Sequence, residues 1–213
     1  MPETQAPATV PQLPPSEVQA LILAGGQSRR MGQDKAWVEW RGQPLIAHAL
    51  NALHQQTPVA PHAVWLSAAH PDPRHASLGL AGVVADSPNH AGCGPLAGIW
   101  AGLQASTSDW LLVVPCDTPR LPTDLLSRLT QAIDAEHLVA VAATHTREAH
   151  VPRIHPVVVL LHRSCGPVIA DQLARDDRRM MHWLQCQAHR VVGFDDPQAF
   201  TNVNDQPTLQ QLA

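Results

Sequence analysis

Thirteen residues near the N-terminus concentrate groups suited to gripping an anion. The stretch Leu23-Ala-Gly-Gly-Gln-Ser-Arg-Arg-Met-Gly-Gln-Asp-Lys35 holds three glycines, a serine, two arginines and a lysine. Glycines let backbone N–H groups approach a bound anion closely. Arg29 or Arg30 can fork onto phosphate oxygens, and Lys35 adds a point charge. A polyphosphate is the natural ligand of such a loop, the alternative being a surface turn of solvated charges. It is not the P-loop pattern G-x-x-x-x-G-K-[ST], because the lysine stands three residues beyond Gly32. Far along the chain, Asp117 follows the apolar run Trp110 to Val114, between Cys116 and Thr118. Such a carboxylate at a strand end serves a Mg²⁺-nucleotide site, since Mg²⁺ takes one or two carboxylates and fills its octahedron with water and phosphate oxygens. The other reading of Asp117 is a turn or helix cap.

Other chemistries find less support. Gly92, Gly94 and Ala97 match G-x-G-x-x-A, but the match lies some way past its strand, and Pro95 occupies the helix start where an N–H would face pyrophosphate. A glycine-rich loop opening a helix can instead close around a flat base. The thirteen histidines include no H-E-x-x-H and no Cys/His zinc spacing, and read as scattered surface residues. The series His145, His150 and His155 aligns on neither a helix nor a strand. Met180, Met181 and Trp183 read as core packing, and no G-x-S-x-G nucleophile elbow occurs.

These residues need elements to carry them. Val18 to Leu23, stopped by Ala24-Gly25-Gly26, reads as a buried strand entering a tight loop. Ala63 to Leu66, Gly82 to Ala85 and Trp110 to Val114 read as further strands, the third of these four ending at Asp86. Leu138 to Ala143 is strand-like, Pro156 to Leu161 is a β-branched run, and Val191-Val192 is a short last strand. Helical spacing follows Pro44 and Pro95, then recurs over Leu121–Ile133, Pro167–Arg175, Met180–Gln187 and Thr208–Leu212. Strands alternating with helices predict an α/β fold, a Rossmann-like three-layer α/β/α domain with a mostly parallel central sheet. Gly25, Asp86 and Asp117 then all fall just past strand C-termini, the edge where such sheets bind ligands.

Composition agrees. At 213 residues the chain has the size of one domain, expected over residues 18–213 after a flexible leader, 1–17, carrying five prolines and lacking the basic and apolar regions of a secretory signal. Hydrophobic residues make up 45% and charged residues 15%, which excludes a disordered polyelectrolyte. A net charge of −4 offers no basic surplus for a nucleic acid backbone, and no apolar run is long enough to span a bilayer. The four cysteines, in no C-x-x-C pair, fit reduced thiols in a cytoplasmic protein.

The first loop, with Leu23-Ala-Gly-Gly, Arg29, Arg30, Met31, Gly32, Asp34 and Lys35, resembles the signature loop of NTP-transferase-like nucleotidyltransferases. Gly94-Pro-Leu-Ala-Gly-Ile99, Pro115-Cys-Asp-Thr-Pro119 and Asn202-Val-Asn204 before Pro207 make the chain similar to the molybdenum cofactor guanylyltransferases. That family transfers GMP from GTP to molybdopterin and releases pyrophosphate. The resemblance implies GTP and molybdopterin as substrates, Mg²⁺ as cofactor, a monomer, and transient contacts with other cofactor-biosynthesis or acceptor proteins. It implies Leu23, Ala24, Gly25 and Gly26 at the nucleotide, Arg29, Arg30 and Lys35 on its phosphates, Asp117 on the metal, and Asp86 in the nucleotide site. Gly94, Pro95 and Leu96 would border the guanine, with Arg178, Arg179, Asn202 and Asn204 on the pterin side. Ser67 departs from the asparagine the family often has at the end of the second strand. A cytidylyltransferase of the same pterin is the nearest rival, although its first loop usually reads Leu-Ala-Ala-Gly; a non-catalytic nucleotide or cofactor carrier is a rival of another class.

Overall fold

The computed structural model describes residues 17–25, 34–70, 72–85, 92–145 and 151–212. Apart from Glu17 the expected leader lies outside the described residues, as do Gly26, Arg29, Arg30, Asp86 and His150.

A seven-stranded sheet forms the middle layer. Its strands are β1 (Val18–Leu23), β4 (Val64–Ser67), β5 (Gly82–Val84), β6 (Trp110–Pro115), β7 (Val139–Thr144), β8 (Arg153–His162) and β9 (His189–Phe194), in the order β5-β4-β1-β6-β8-β7-β9. A separate two-stranded ribbon joins β2 (Glu39–Trp40) to β3 (Gln43–Pro44). β1, β6 and β7 are buried along nearly their whole length, which explains why they read as largely apolar runs, with Gln19 the polar exception in β1. Side chains alternate between the two faces. Ala20, Ile22, Leu66, Leu112, Val114 and Leu160 face one core, against Ile46, Ala49 and Leu53 of α1 (Leu45–His54) and Leu125, Leu126 and Leu129 of α3 (Leu125–Gln131). Leu21, Leu111, Val113, Val159 and Leu161 face the other, against α2 (Pro95–Ala105), α4 (Gly166–Ala174) and α5 (Met180–Gln185). The three-layer α/β/α expectation holds.

β8 runs antiparallel to both β6 and β7, while the other pairings in the sheet are parallel. Pro156 lies in this interior strand where the β7–β8 register shifts, Val141 facing Val159 but Ala143 facing Ile154. That irregularity removes the ladder bond a proline could not donate. α3 begins four residues later than its apolar spacing suggests, because Pro122 holds Leu121 out of helical conformation. β9 is longer than the Val191-Val192 pair that marked it, since pairing with β7 carries its half-exposed flanks into the sheet.

Two histidines correct the surface expectation. His75 and His155 are buried, at 7% and 9% exposure. His155 shares a hydrogen bond of 3.0 Å with Thr144 Oγ1 and packs 4.9 Å from the Phe200 ring. Burial, aided by Arg153, pulls its pKa down from 6.5 to about 4. The folded state therefore binds a proton less readily than the unfolded chain. Its stabilising contribution is whole above pH 6.5 and drains as pH falls towards 4, on the order of 2 kcal/mol. His155→Gln keeps a hydrogen-bonding group facing Thr144. It flattens the acid limb of stability in urea unfolding at pH 7 and pH 4.5; an unchanged limb contradicts the assignment.

Candidate active site

The parallel strands end in one row. Leu23 stands opposite Ser67 and Pro115, and Ser67 opposite Val84. Crossing bonds continue past the row, with Ala24 N donating to Ser67 O at 2.8 Å, Cys116 N to Leu23 O at 3.0 Å and Ala68 N to Val84 O at 3.0 Å. Leu23, Ala24, Gly25, Ser67 and Asp117 thus come together at the C-terminal edge of the sheet.

Lys35 reaches this edge from a short 3-10 turn, Lys35–Trp37, whose start is capped by Asp34 Oδ1 accepting from Ala36 N at 3.0 Å. The Lys35 ammonium forms an ion pair with Asp117 Oδ2 and donates to Asn204 Oδ1 at 2.6 Å. Residues 82 and 169 positions apart in the chain therefore share one charge. Val203 N donates to the Asp117 carbonyl at 2.9 Å, which holds the Asn202–Asn204 segment against the strand end. Val203 is itself buried with Val38, Trp40, Leu45 and Leu212, so the C-terminal helix α6 (Gln206–Gln211) and the ribbon together fasten that segment. Asn202 and Asn204 are both exposed by residue, and Asn204 meets the cation rather than standing apart from it.

Asp117 is buried, and its second oxygen, Oδ1, has no hydrogen-bond partner. An orphaned carboxylate oxygen in a closed environment is costly unless something occupies it. A hard divalent cation fits the requirement. It accepts one carboxylate and leaves its other positions to water and phosphate oxygens. Among the described residues no group of three or more His, Cys, Asp or Glu side chains is placed to hold a metal without such help.

The Gly92–Gly98 stretch supplies the other wall. Gly94 caps α2 at φ +77°, a conformation open to glycine, and Pro95 takes the first turn, where its missing N–H costs nothing. Gly98 faces the strand ends, a contact that the motif reading left without a role. A Cβ there would stand 2.6 Å from Ser67 Oγ and 2.8 Å from Leu23 Cδ2. Its signal in the sequence is the pair Gly98 and Gly102 on one face of an otherwise apolar helix, since Gly102 meets Leu21 in the same way. Gly98→Ala is expected to cost about 1–3 kcal/mol through overpacking and to weaken nucleotide binding by displacing Leu23 and Ser67. Thermal unfolding with nucleotide titration checks both, and a wild-type profile contradicts the close approach.

Arg178 and Arg179 are exposed and already engaged. Arg178 Nη2 donates to Asp176 Oδ1 at 2.7 Å, and Arg179 Nη2 to Asp177 Oδ2 at 2.8 Å. Arg178 is within electrostatic reach of Cys93, in the loop that opens α2. Met180 and Trp183 are buried in the core, as their type suggested, while Met181 is exposed. The cysteines are free, and only Cys186 is exposed. Among the described residues no helix is long and apolar enough to cross a membrane.

Comparison with known proteins bears on this geometry. A solved structure from Archaeoglobus fulgidus, molybdopterin-guanine dinucleotide biosynthesis protein A, superposes with a TM-score of 0.67 at 21% identity, covering 91% of this chain and 95% of that one. A 4-diphosphocytidyl-2C-methyl-D-erythritol synthase from Anaerococcus prevotii reaches 0.71 at 13% identity, covering 93% and 97%. These likenesses concern the fold. Molybdenum cofactor guanylyltransferases of Shewanella putrefaciens and Vibrio cholerae are 37% and 36% identical, covering 93% and 96% of this chain and 97% and 95% of their own lengths. The model of the MobA-like NTP transferase domain matches residues 20–191, from within β1 through the Lys35 turn, the α2 loop and Asp117. This chain is a nucleotidyltransferase and belongs to the MobA-like NTP transferase family.

Proposed function

We propose that this protein transfers GMP from GTP to molybdopterin, releasing pyrophosphate and forming the molybdopterin guanine dinucleotide, as a monomer in the cytoplasm with residues 18–213 as its catalytic domain. The observation that carries the reading is the shared contact of Lys35 with Asp117 and Asn204 at the strand edge, beside a buried carboxylate oxygen that has no hydrogen-bond partner. It is supported by the names of the relatives that match nearly the whole chain.

In the reaction an oxygen of the pterin phosphate bonds to the α-phosphorus of GTP. The bond from that phosphorus to the oxygen leading to the β-phosphate breaks, and pyrophosphate leaves with the electron pair. A phosphate monoester is largely ionised near neutral pH, so no strong general base is needed. The obstacle is the approach of two anions, and the remedy is positioning and charge neutralisation. Lys35 supplies one positive charge at a stem held by two partners, with Arg29 and Arg30 adding charge along the triphosphate. Asp117 would hold Mg²⁺ through Oδ1, and the ion would supply neutralisation of phosphate charge. Ala24, Gly25 and Gly26 let the backbone approach the phosphates. Ser67, Asp86 and the Gly94–Leu96 turn enclose the nucleoside. Asn202, Arg178 and Arg179 face the acceptor, the arginines exchanging Asp176 and Asp177 for its phosphate. Asn204 orients Lys35 between the two substrates.

The test is pyrophosphate release with molybdopterin and Mg²⁺, comparing GTP, CTP, ATP and UTP. Release with GTP alone is expected. Release with CTP instead would keep the chemistry and overturn the choice of base, and binding without release from any of them would overturn the transfer.

A further inference from the structure

The turn that carries Lys35 is too short to fix itself, and its second anchor comes from elsewhere in the chain. Two residues past the lysine, Trp37 lays its indole against a 3-10 segment, Pro73–Leu78, in the connection between β4 and β5. The guanidinium carbon of Arg74 stands 4.0 Å from the centre of the Trp37 ring. The His75 imidazole lies nearly parallel to the indole, 5.8 Å between centroids and 19° between planes. Arg74 is held in turn by Asp72. Its Nε donates to the two carboxylate oxygens at 3.0 and 3.1 Å and its Nη2 to Oδ2 at 2.5 Å, while its backbone N donates to Oδ1 at 2.9 Å. His75 is buried, so its ring cannot swing away freely. A cation placed over an indole face is an attractive contact. Here it ties a surface connection to the turn that carries Lys35 into the site.

We propose that Trp37, gripped by Arg74 and His75, is a positioning residue for Lys35. The proposal rests on the transferase reading above. The grip fixes the base of a flexible four-carbon stem, and with it the place of the ammonium between Asp117 and Asn204. Displacing a reacting or neutralising group by about 1 Å can cost as much as a hundredfold in rate.

The experiment is a double-mutant cycle on pyrophosphate release from GTP with molybdopterin, with folding checked by circular dichroism. Trp37→Ala is expected to lower kcat about tenfold, and Trp37→Phe to recover most of it. Arg74→Ala, at a solvent-facing position that leaves the core untouched, is expected to lower kcat severalfold. In a Lys35→Ala background both substitutions should have little further effect, because no ammonium remains to be placed; a merely structural role would lower the rate equally in both backgrounds. Equal losses in the two backgrounds, or full activity of both variants beside a crippled Lys35→Ala, would overturn the positioning role alone. Full activity of Lys35→Ala would overturn the transferase assignment of that residue and the positioning role together.

Discussion

Asp117→Asn is expected to lower pyrophosphate release by about a hundredfold or more and to abolish its saturation by magnesium. The substitution keeps the volume of the side chain but removes the charge and replaces one carboxylate oxygen by an amide that cannot accept. In the wild type Oδ2 faces Lys35 and Oδ1 is buried with no partner, so one oxygen serves the lysine and the other remains to meet a cation. Neutralising phosphate charge in an enclosed site contributes several kcal/mol to a transfer of this kind, and a single preorganised group accounts for about a hundred- to a thousandfold in rate. The fold should persist, because Asp117 is fastened through its carbonyl to Val203 N at 2.9 Å, a contact the variant retains. The check is a magnesium titration of initial rates, with thermal unfolding alongside. A variant that still saturates with magnesium as the wild type does would remove Asp117 from the metal site.

Lys35→Ala has an effect of the same order, about a hundred- to a thousandfold in kcat/KM for GTP, and Lys35→Arg does not restore it. The ammonium is a compact charge aimed by Asp117 on one side and Asn204, 2.6 Å away, on the other. A planar guanidinium carries the same charge but cannot occupy that position with the same two contacts. Removing the lysine also leaves the Asp117 carboxylate unpaired in a buried setting, which repels the triphosphate as well as failing to attract it. Both KM for GTP and kcat are therefore expected to move. Asn204→Ala, which keeps the charge and loses only one of its guides, should produce a smaller loss confined mainly to kcat. Steady-state kinetics of the three variants separate these effects, and activity of Lys35→Arg equal to wild type would contradict the geometric part of the account.

The architecture was legible where local pattern decides it. The apolar runs at Ala20–Leu23 and Trp110–Val114, each stopped by a turn signal, read as strands covered on both faces, and Pro95 marked the first turn of α2. The antiparallel course of β8 was not, because strand direction depends on where the chain returns to the sheet and leaves no mark on the alternation of side chains. Lys35 and Asp117 were legible as charges at loop positions. Their direct pairing joins residues 82 positions apart, and the hydrogen bond from Lys35 to a residue 169 positions away exists only once the C-terminal segment folds back over the ribbon. Gly98 was hidden for another reason, since a glycine in a helix signals flexibility as readily as close approach, and only Ser67 and Leu23 lying behind it decide between them. The pairing of Arg178 with Asp176 and of Arg179 with Asp177 went unread, because acid and base two residues apart meet only across a turn whose Asp176 has φ +57°.

In the proposed reaction the α-phosphate of GTP passes to the pterin while the outer two phosphates leave. GTP labelled at its α-phosphorus and, in parallel, at its γ-phosphorus, incubated with molybdopterin, magnesium and the purified protein, follows both halves of the transfer. The α-label is expected in a pterin dinucleotide and the γ-label in pyrophosphate, in equal amounts. Release of the γ-label as inorganic phosphate, with the α-label left on GDP, would contradict it.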